Sequence, residues 1–269
     1  MGKKNQDSCR LSLVSPEFKS AAEYDVVWGS FLPPDYEEII ARACTPFQYS
    51  SKKQLFRWLC DSILIDGGTK TFALEKSNGR KSYIMSTKEL YISQADDPNH
   101  WSWITIPESR FDEVAELKTI SNLEIEGRIK TQALSPSTKY GAFLIIKVSH
   151  KSFGLDSIPS EISLKIGDLV VKRSAYLCGK DVKKQQMEVL FYKNRLQMLN
   201  NRLNHQGFIW EEKQACERLD GWMKIEVGEF FTGFDDACND KELQIRLTEV
   251  KGQHLKGGLI IEGIEVRPK

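Results

Sequence analysis

The sequence predicts a mainly β protein, an antiparallel β-sandwich of jelly-roll type preceded by a short helical region. Three observations point there. From residue 71 onward, apolar residues recur at period two in short runs. Turn-forming clusters of Gly, Pro, Asn and Asp separate those runs. Helical periodicity is concentrated ahead of them, so strands do not alternate with helices as a parallel α/β sheet would require.

Residues 8 to 44 read as helix. Cys9, Leu11, Leu13 and Val14 begin an apolar pattern, and Ser15-Pro16 suits the start of a second helix. Phe18, Ala21, Ala22, Val26, Val27, Trp28 and Phe31 then recur at three- and four-residue spacing. Pro33-Pro34 ends that helix, and Asp35 to Arg42 can form a short further one. A helical unit this small buries too little surface to stand alone. It must pack on the downstream domain, or bind a partner, or both. Gln54 to Ile65 places Leu55, Trp58, Leu59 and Ile63 on one helical stripe, and Asp66-Gly67-Gly68 is a turn.

Strands are expected at 71–75, 82–85, 90–93, 101–106, 114–119, 122–130, 140–149, 162–171, 222–231, 243–250 and 259–266. YGAFLIIKVS, residues 140 to 149, is nearly continuous in its apolar character, as a central strand would be. Lys180 to Glu217 lacks alternation and reads as a basic, helical or mobile insertion between two strands.

The remaining strands are arranged around Lys88 to Leu117. There Asp96-Asp97-Pro98-Asn99 forms a turn that delivers His100-Trp101-Ser102-Trp103 onto a strand. Residues two apart on a strand share a face, so Trp101 and Trp103 point the same way. Two indoles so placed are either a core anchor or a stacking platform.

Totals exclude several classes. Lys and Arg number 38 against 37 Asp and Glu, a balance that favours neither nucleic acid nor a membrane surface. No apolar run approaches the ~20 residues of a membrane span. The start, MGKKNQDSCR, has no apolar core of a secretory signal, and Gln6 stands where a myristoylation sequence wants Ser or Thr. Six scattered cysteines without a CxxC pair read as free thiols in a reducing compartment, cytoplasmic or nuclear. There is no phosphate loop, dinucleotide fingerprint, HExxH or GxSxG, and His100, His150, His205 and His254 form no triad pattern. Neither enzymatic activity nor a cofactor or metal is expected.

CRLSLVSPEFKSAAEYDVVWGSFLPPDYEEII resembles the second half of a plant F-box. The segments SSKKQLFRWLCDSILIDGGTKTFALEKSNGRKSYIMS, WSWITIPESRFDEVAEL, LEIEGRIKTQALSPSTKYGAFLIIKV, DGWMKIEVGEFF and KGGLIIEGIEVRPK resemble, in order, the phloem-protein-two or Nictaba-type lectin domain that follows it. The resemblance covers nearly the whole chain. It implies a partial, helical F-box at 1–45, a helical linker at 46–70 and a lectin-like β-sandwich at 71–269 with an insertion near 180–217. It also implies a Skp-type adaptor and cullin ligase as partners, with adaptor contacts at Leu11, Leu13, Val14, Phe18 and Trp28. F-boxes of this family open with a Leu-Pro-bearing helix, whereas this chain begins inside or just after it. Weakened adaptor binding is therefore expected.

In lectins of the resembled family, two tryptophans seven positions apart are tied to N-acetylglucosamine oligomers. The second falls on Trp101 and the first on Gln94, which cannot supply stacking area; a lost aromatic platform costs about 1 to 3 kcal/mol. Glu242 and Glu249 match acidic positions of the same site. A sugar site needs an exposed aromatic against ring C–H groups and carboxylates or amides for the hydroxyls. Trp101 or Trp103 could stack, and Asp96, Asp97, Glu242 and Glu249 are acidic candidates. Three readings stay open: a ligase adaptor recognising a glycan or glycoprotein, a stand-alone carbohydrate-binding module, and a protein-interaction module without sugar binding. Two copies could also pair through edge strands.

Overall fold

The structure is a computed structural model and describes residues 24–177, 221–233, 241–250 and 254–269, together with the backbone of 216–217. The front end holds three short helices, α1 (Asp25–Gly29), α2 (Tyr36–Ala41) and α3 (Lys52–Leu59). Ser51 caps α3 by accepting from the Gln54 amide at 3.3 Å, while the Gln54 side chain accepts from the Ser50 amide at 3.0 Å. That reciprocal arrangement meets two donors a helix start would otherwise leave open. Leu55, Phe56 and Leu59 form the buried stripe.

The helix expected through Ile65 stops earlier. Cys60 closes α3, Ser62 takes a left-handed φ of 60°, and Ile63–Ile65 is strand β1. β1 pairs with β2 (Lys70–Leu74) and bridges back to Ala43, so cross-strand pairing overrides the helical stripe that included Ile63.

Strands β3 (Lys81–Ser86), β4 (Tyr91–Ile92), β5 (Trp101–Ile104), β6 (Val114–Leu117), β7 (Leu123–Lys130) and β8 (Lys139–Phe153) follow close to their expected positions. The single strand expected at 162–171 is a hairpin instead. β9 (Ser160–Ile166) turns at Gly167, φ 54°, into β10 (Leu169–Ala175). The Gly-Asp pair at the turn was the available signal. Cys216–Glu217 forms β11, and β12 (Met223–Phe231), β13 (Glu242–Glu249) and β14 (Gly257–Pro268) complete the series. The rest of the expected 180–217 insertion lies outside the described residues.

These strands form two antiparallel sheets. One runs β1-β2-β3-β14-β8-β12-β11, with β6 alongside β14 and β5 alongside β6; the other runs β10-β9-β13-β7-β4. Their inner faces enclose a single hydrophobic core, the antiparallel β-sandwich the alternation predicts. On the opposite face of the larger sheet, Ile84, Val114, Ile145, Trp222 and Ile260 form a second cluster beneath Phe111. Its cover is held by Arg110, whose backbone and guanidinium both bond the buried Glu262 carboxylate, at 2.8 and 2.6 Å.

The front end is part of the same core. Trp28, Leu32, Ile39, Leu55, Phe56 and Leu59 belong to the cluster that also contains Phe72, Leu144 and Val266. Arg42 binds Asp66 through two bonds of 2.8 Å each, and Asp35 pairs with the buried Lys81 at 2.6 Å. Gly79 approaches so closely that a Cβ there would lie 2.4 Å from the Phe31 carbonyl oxygen. Among the described residues, no helix is long and apolar enough to cross a membrane.

Candidate functional site

The turn between β4 and β5 is built on Asp97. Its carboxylate accepts from the Asn99 amide at 2.8 Å, and its carbonyl accepts from the His100 and Trp101 amides at 2.9 and 3.1 Å. His100 Nδ1 lies 2.7 Å from the Thr119 carbonyl oxygen, which places the ring proton on Nδ1. Gln94 is exposed with a left-handed φ of 59°. Asp97 is thus largely committed to the turn, while Asp96 is exposed.

The two indoles share a face as period two requires, but their surroundings differ. Trp101 is only 2% exposed, sits in the core and donates from Nε1 to the Ser93 carbonyl at 3.0 Å. It locks β5 of the larger sheet onto the end of β4 in the smaller one. Its ring faces are covered by protein, so the expectation that Trp101 stacks on a sugar is corrected: it is the core anchor. Trp103, 38% exposed at the rim, keeps an accessible ring.

The acidic candidates separate as well. Glu242 and Glu249 are seven positions apart on one strand, an odd spacing that sends them to opposite faces. Glu249 turns inward, 4% exposed, where the buried Lys256 ammonium meets its carboxylate and also donates to the Ser121 carbonyl. It cannot reach a ligand at the surface. Glu242 faces out and meets Arg128 Nη1 at 3.3 Å.

Around Glu242 the outer face of the smaller sheet carries an ordered polar network. Register places Tyr91, Glu126 and Arg246 side by side on β4, β7 and β13. Alternation along LEIEGRIK puts Glu126 on the outer face. It is nonetheless buried, because Arg128 Nε donates to one carboxylate oxygen at 2.6 Å and Arg246 donates to the other from Nε at 2.9 Å and from Nη2. Burial alone would raise the Glu126 pKa, but bonds from Arg246 and Arg128 outweigh it and hold the carboxyl below its ordinary value. The same bonds to Glu126 raise both guanidinium groups. Tyr91 stands at the sheet edge with 60% of its surface exposed. Alternation in LEIEGRIK and ELQIRLTE was enough to put these side chains outward. Their juxtaposition needed the strand register.

Among the described residues no cluster of three or more His, Cys, Asp or Glu could hold a metal ion. Cys44 and Cys60 are free, and burial pushes the Cys60 thiol up to about 12, leaving it protonated and unreactive at neutral pH.

A model described as phloem protein 2 matches residues 80–268. The chain belongs to the phloem protein 2 family. It is 47% identical over 265 residues to F-box protein PP2-B15 of Arabidopsis thaliana, an alignment covering 98% of this chain and 91% of that protein. It is 44% identical over 265 residues to F-box protein VBF of the same plant, covering 98% and 93%. Similarity of this extent makes it a plant F-box protein carrying a phloem protein 2 domain.

In this phloem protein 2 chain the residues expected to contact an adaptor are placed as follows. Leu11, Leu13, Val14 and Phe18 lie outside the described residues. Trp28 does not offer its ring to a partner: it is 4% exposed, packed on Phe31 and Phe56 at centroid distances of 5.9 and 5.5 Å. The apolar groups that α1 and the residue before it present outward are Val26, 86% exposed, and Tyr24. Burial of Trp28 follows from α3 lying across α1, a long-range contact that helical spacing could not reveal.

Proposed function

We propose that this protein is the target-recognition subunit of an SCF-type ubiquitin ligase. Its front end docks a Skp-type adaptor, and its sandwich presents a target, a glycoprotein carrying N-acetylglucosamine-containing glycans. The protein contributes no catalysis itself and works in the cytoplasm or nucleus, where such ligases meet their targets. The observation that carries the reading is the extent of the likeness. Relatives named as F-box proteins match 98% of this chain, including the front end before the phloem protein 2 match begins. Exposed Val26 on α1 and Tyr24 just before it would supply apolar surface for the adaptor.

The test is capture of the full chain by a plant Skp-type adaptor, with Val26→Asp as the surface variant. Because Val26 is exposed, that change should leave the melting temperature unchanged while lowering adaptor affinity by about 10-fold. Absence of association with the unaltered chain overturns the ligase reading.

A further inference from the structure

We infer that the outer face of the five-stranded sheet is a binding platform for an uncharged glycan, with Tyr91 as its stacking residue. This deepens the glycan part of the proposed function and rests on it. The buried Trp101 cannot stack, so the aromatic must come from elsewhere. Tyr91 is 60% exposed and lies opposite Glu126 in the β4–β7 register, at the edge of the paired polar groups. Glu126 fixes both neighbouring guanidinium groups through its two oxygens, so Arg128 and Arg246 are held against the sheet. A guanidinium has five N–H donors in a planar fork, more than these bonds use. Gln244, paired with Arg128 across the strands, donates weakly to Glu242 at 3.5 Å and retains its amide oxygen as an acceptor.

Charge selects the class of ligand. Arg128 is paired with Glu126 and Glu242, and Arg246 with Glu126 and Glu124, so neither guanidinium is left without a carboxylate. An anionic ligand would have to compete with those carboxylates for the guanidinium groups, whereas a neutral polyhydroxylated ring would not. Tyr91 and Arg246 are two strands apart, roughly 10 Å by ordinary inter-strand spacing, which accommodates more than one pyranose ring. A sugar lying across β4, β7 and β13 would set its C–H face on Tyr91. Its hydroxyls would accept from the guanidinium N–H groups and donate to the Gln244 and Glu242 oxygens.

The test uses the full chain on a panel of neutral and sialylated glycans, followed by calorimetric titration with tri-N-acetylchitotriose or the strongest neutral hit. Binding to neutral glycans is expected, with Tyr91→Ala weakening it about 10-fold or more and Tyr91→Phe staying within about 2-fold. Trp103→Ala should bind as the unaltered chain does. If Trp103→Ala abolishes binding and Tyr91→Ala leaves it intact, the platform is wrong while glycan recognition stands. If the unaltered chain binds nothing on the panel, glycan recognition and the platform fall together.

Discussion

Lys256 is 1% exposed, and an ammonium so far from water is tolerable only because Glu249 and the Ser121 carbonyl surround it. Its backbone also exchanges two hydrogen bonds with Ile120, at 2.9 and 3.0 Å, so the pair fastens the start of β14 to the segment before β7. Removing one partner should be far worse than removing both. Lys256→Met alone should destabilise the fold by about 3 to 5 kcal/mol, because it removes the ammonium that faces a buried carboxylate. Lys256→Met with Glu249→Leu should recover most of that loss. Urea unfolding of the single and double variants checks this, and equal losses would show that packing rather than charge dominates. Glu249, which the sequence offered as a ligand contact, is therefore a structural residue.

Strand β14 holds the larger sheet together by pairing with β3, β6 and β8. It does so with a bulge at Ile261/Gly263, where register against β8 shifts and Glu262 is released to meet Arg110. A Cβ at Gly263 would lie 1.9 Å from the Met85 carbonyl oxygen, which is backbone and cannot rotate away. Gly263→Ala should therefore separate β14 from β3 and cost at least about 3 kcal/mol, read as a lowered urea midpoint. The end of the same strand is fastened differently. Bonds from Lys139 and Lys269 hold the Glu229 carboxyl down to about 2, from an ordinary 4.5. A depressed folded-state pKa contributes stability above the unfolded value that is lost as pH falls through the folded one. The stability difference between the unaltered chain and Glu229→Gln should thus be present at pH 6, shrink from about 4.5 downward and vanish near 2. A difference independent of pH would show that the bonds, not the charge, matter.

The helical front end and the sandwich share one hydrophobic core, fastened by Arg42 to Asp66 and by Asp35 to Lys81. Whatever binds the front end is consequently held in a fixed orientation to whatever binds the sheet face. Scanning calorimetry should give one cooperative transition for both. A chain beginning at residue 60 should aggregate, because it exposes the apolar surface that Leu55, Phe56 and Leu59 cover. Two resolved transitions, or a soluble folded fragment, would show independent domains.

Periodicity alone determined much of this molecule. Alternation in LEIEGRIK and ELQIRLTE reports which side chains face water, because a strand has only two faces and the core accepts only one kind. The resemblance offered Glu242 and Glu249 as contacts of one site, yet their odd spacing on one strand sends them to opposite faces for the same reason. The absence of catalytic motifs and the even charge balance likewise needed only the sequence. The tertiary structure decided which strands neighbour each other, and so which outward residues meet. Tyr91, Glu126 and Arg246 come from β4, β7 and β13, far apart along the chain, and nothing local encodes their contact. It also decided that Trp101 is buried while Trp103 is not. Period two gives both indoles the same face, but burial depends on what the opposite sheet places over each one.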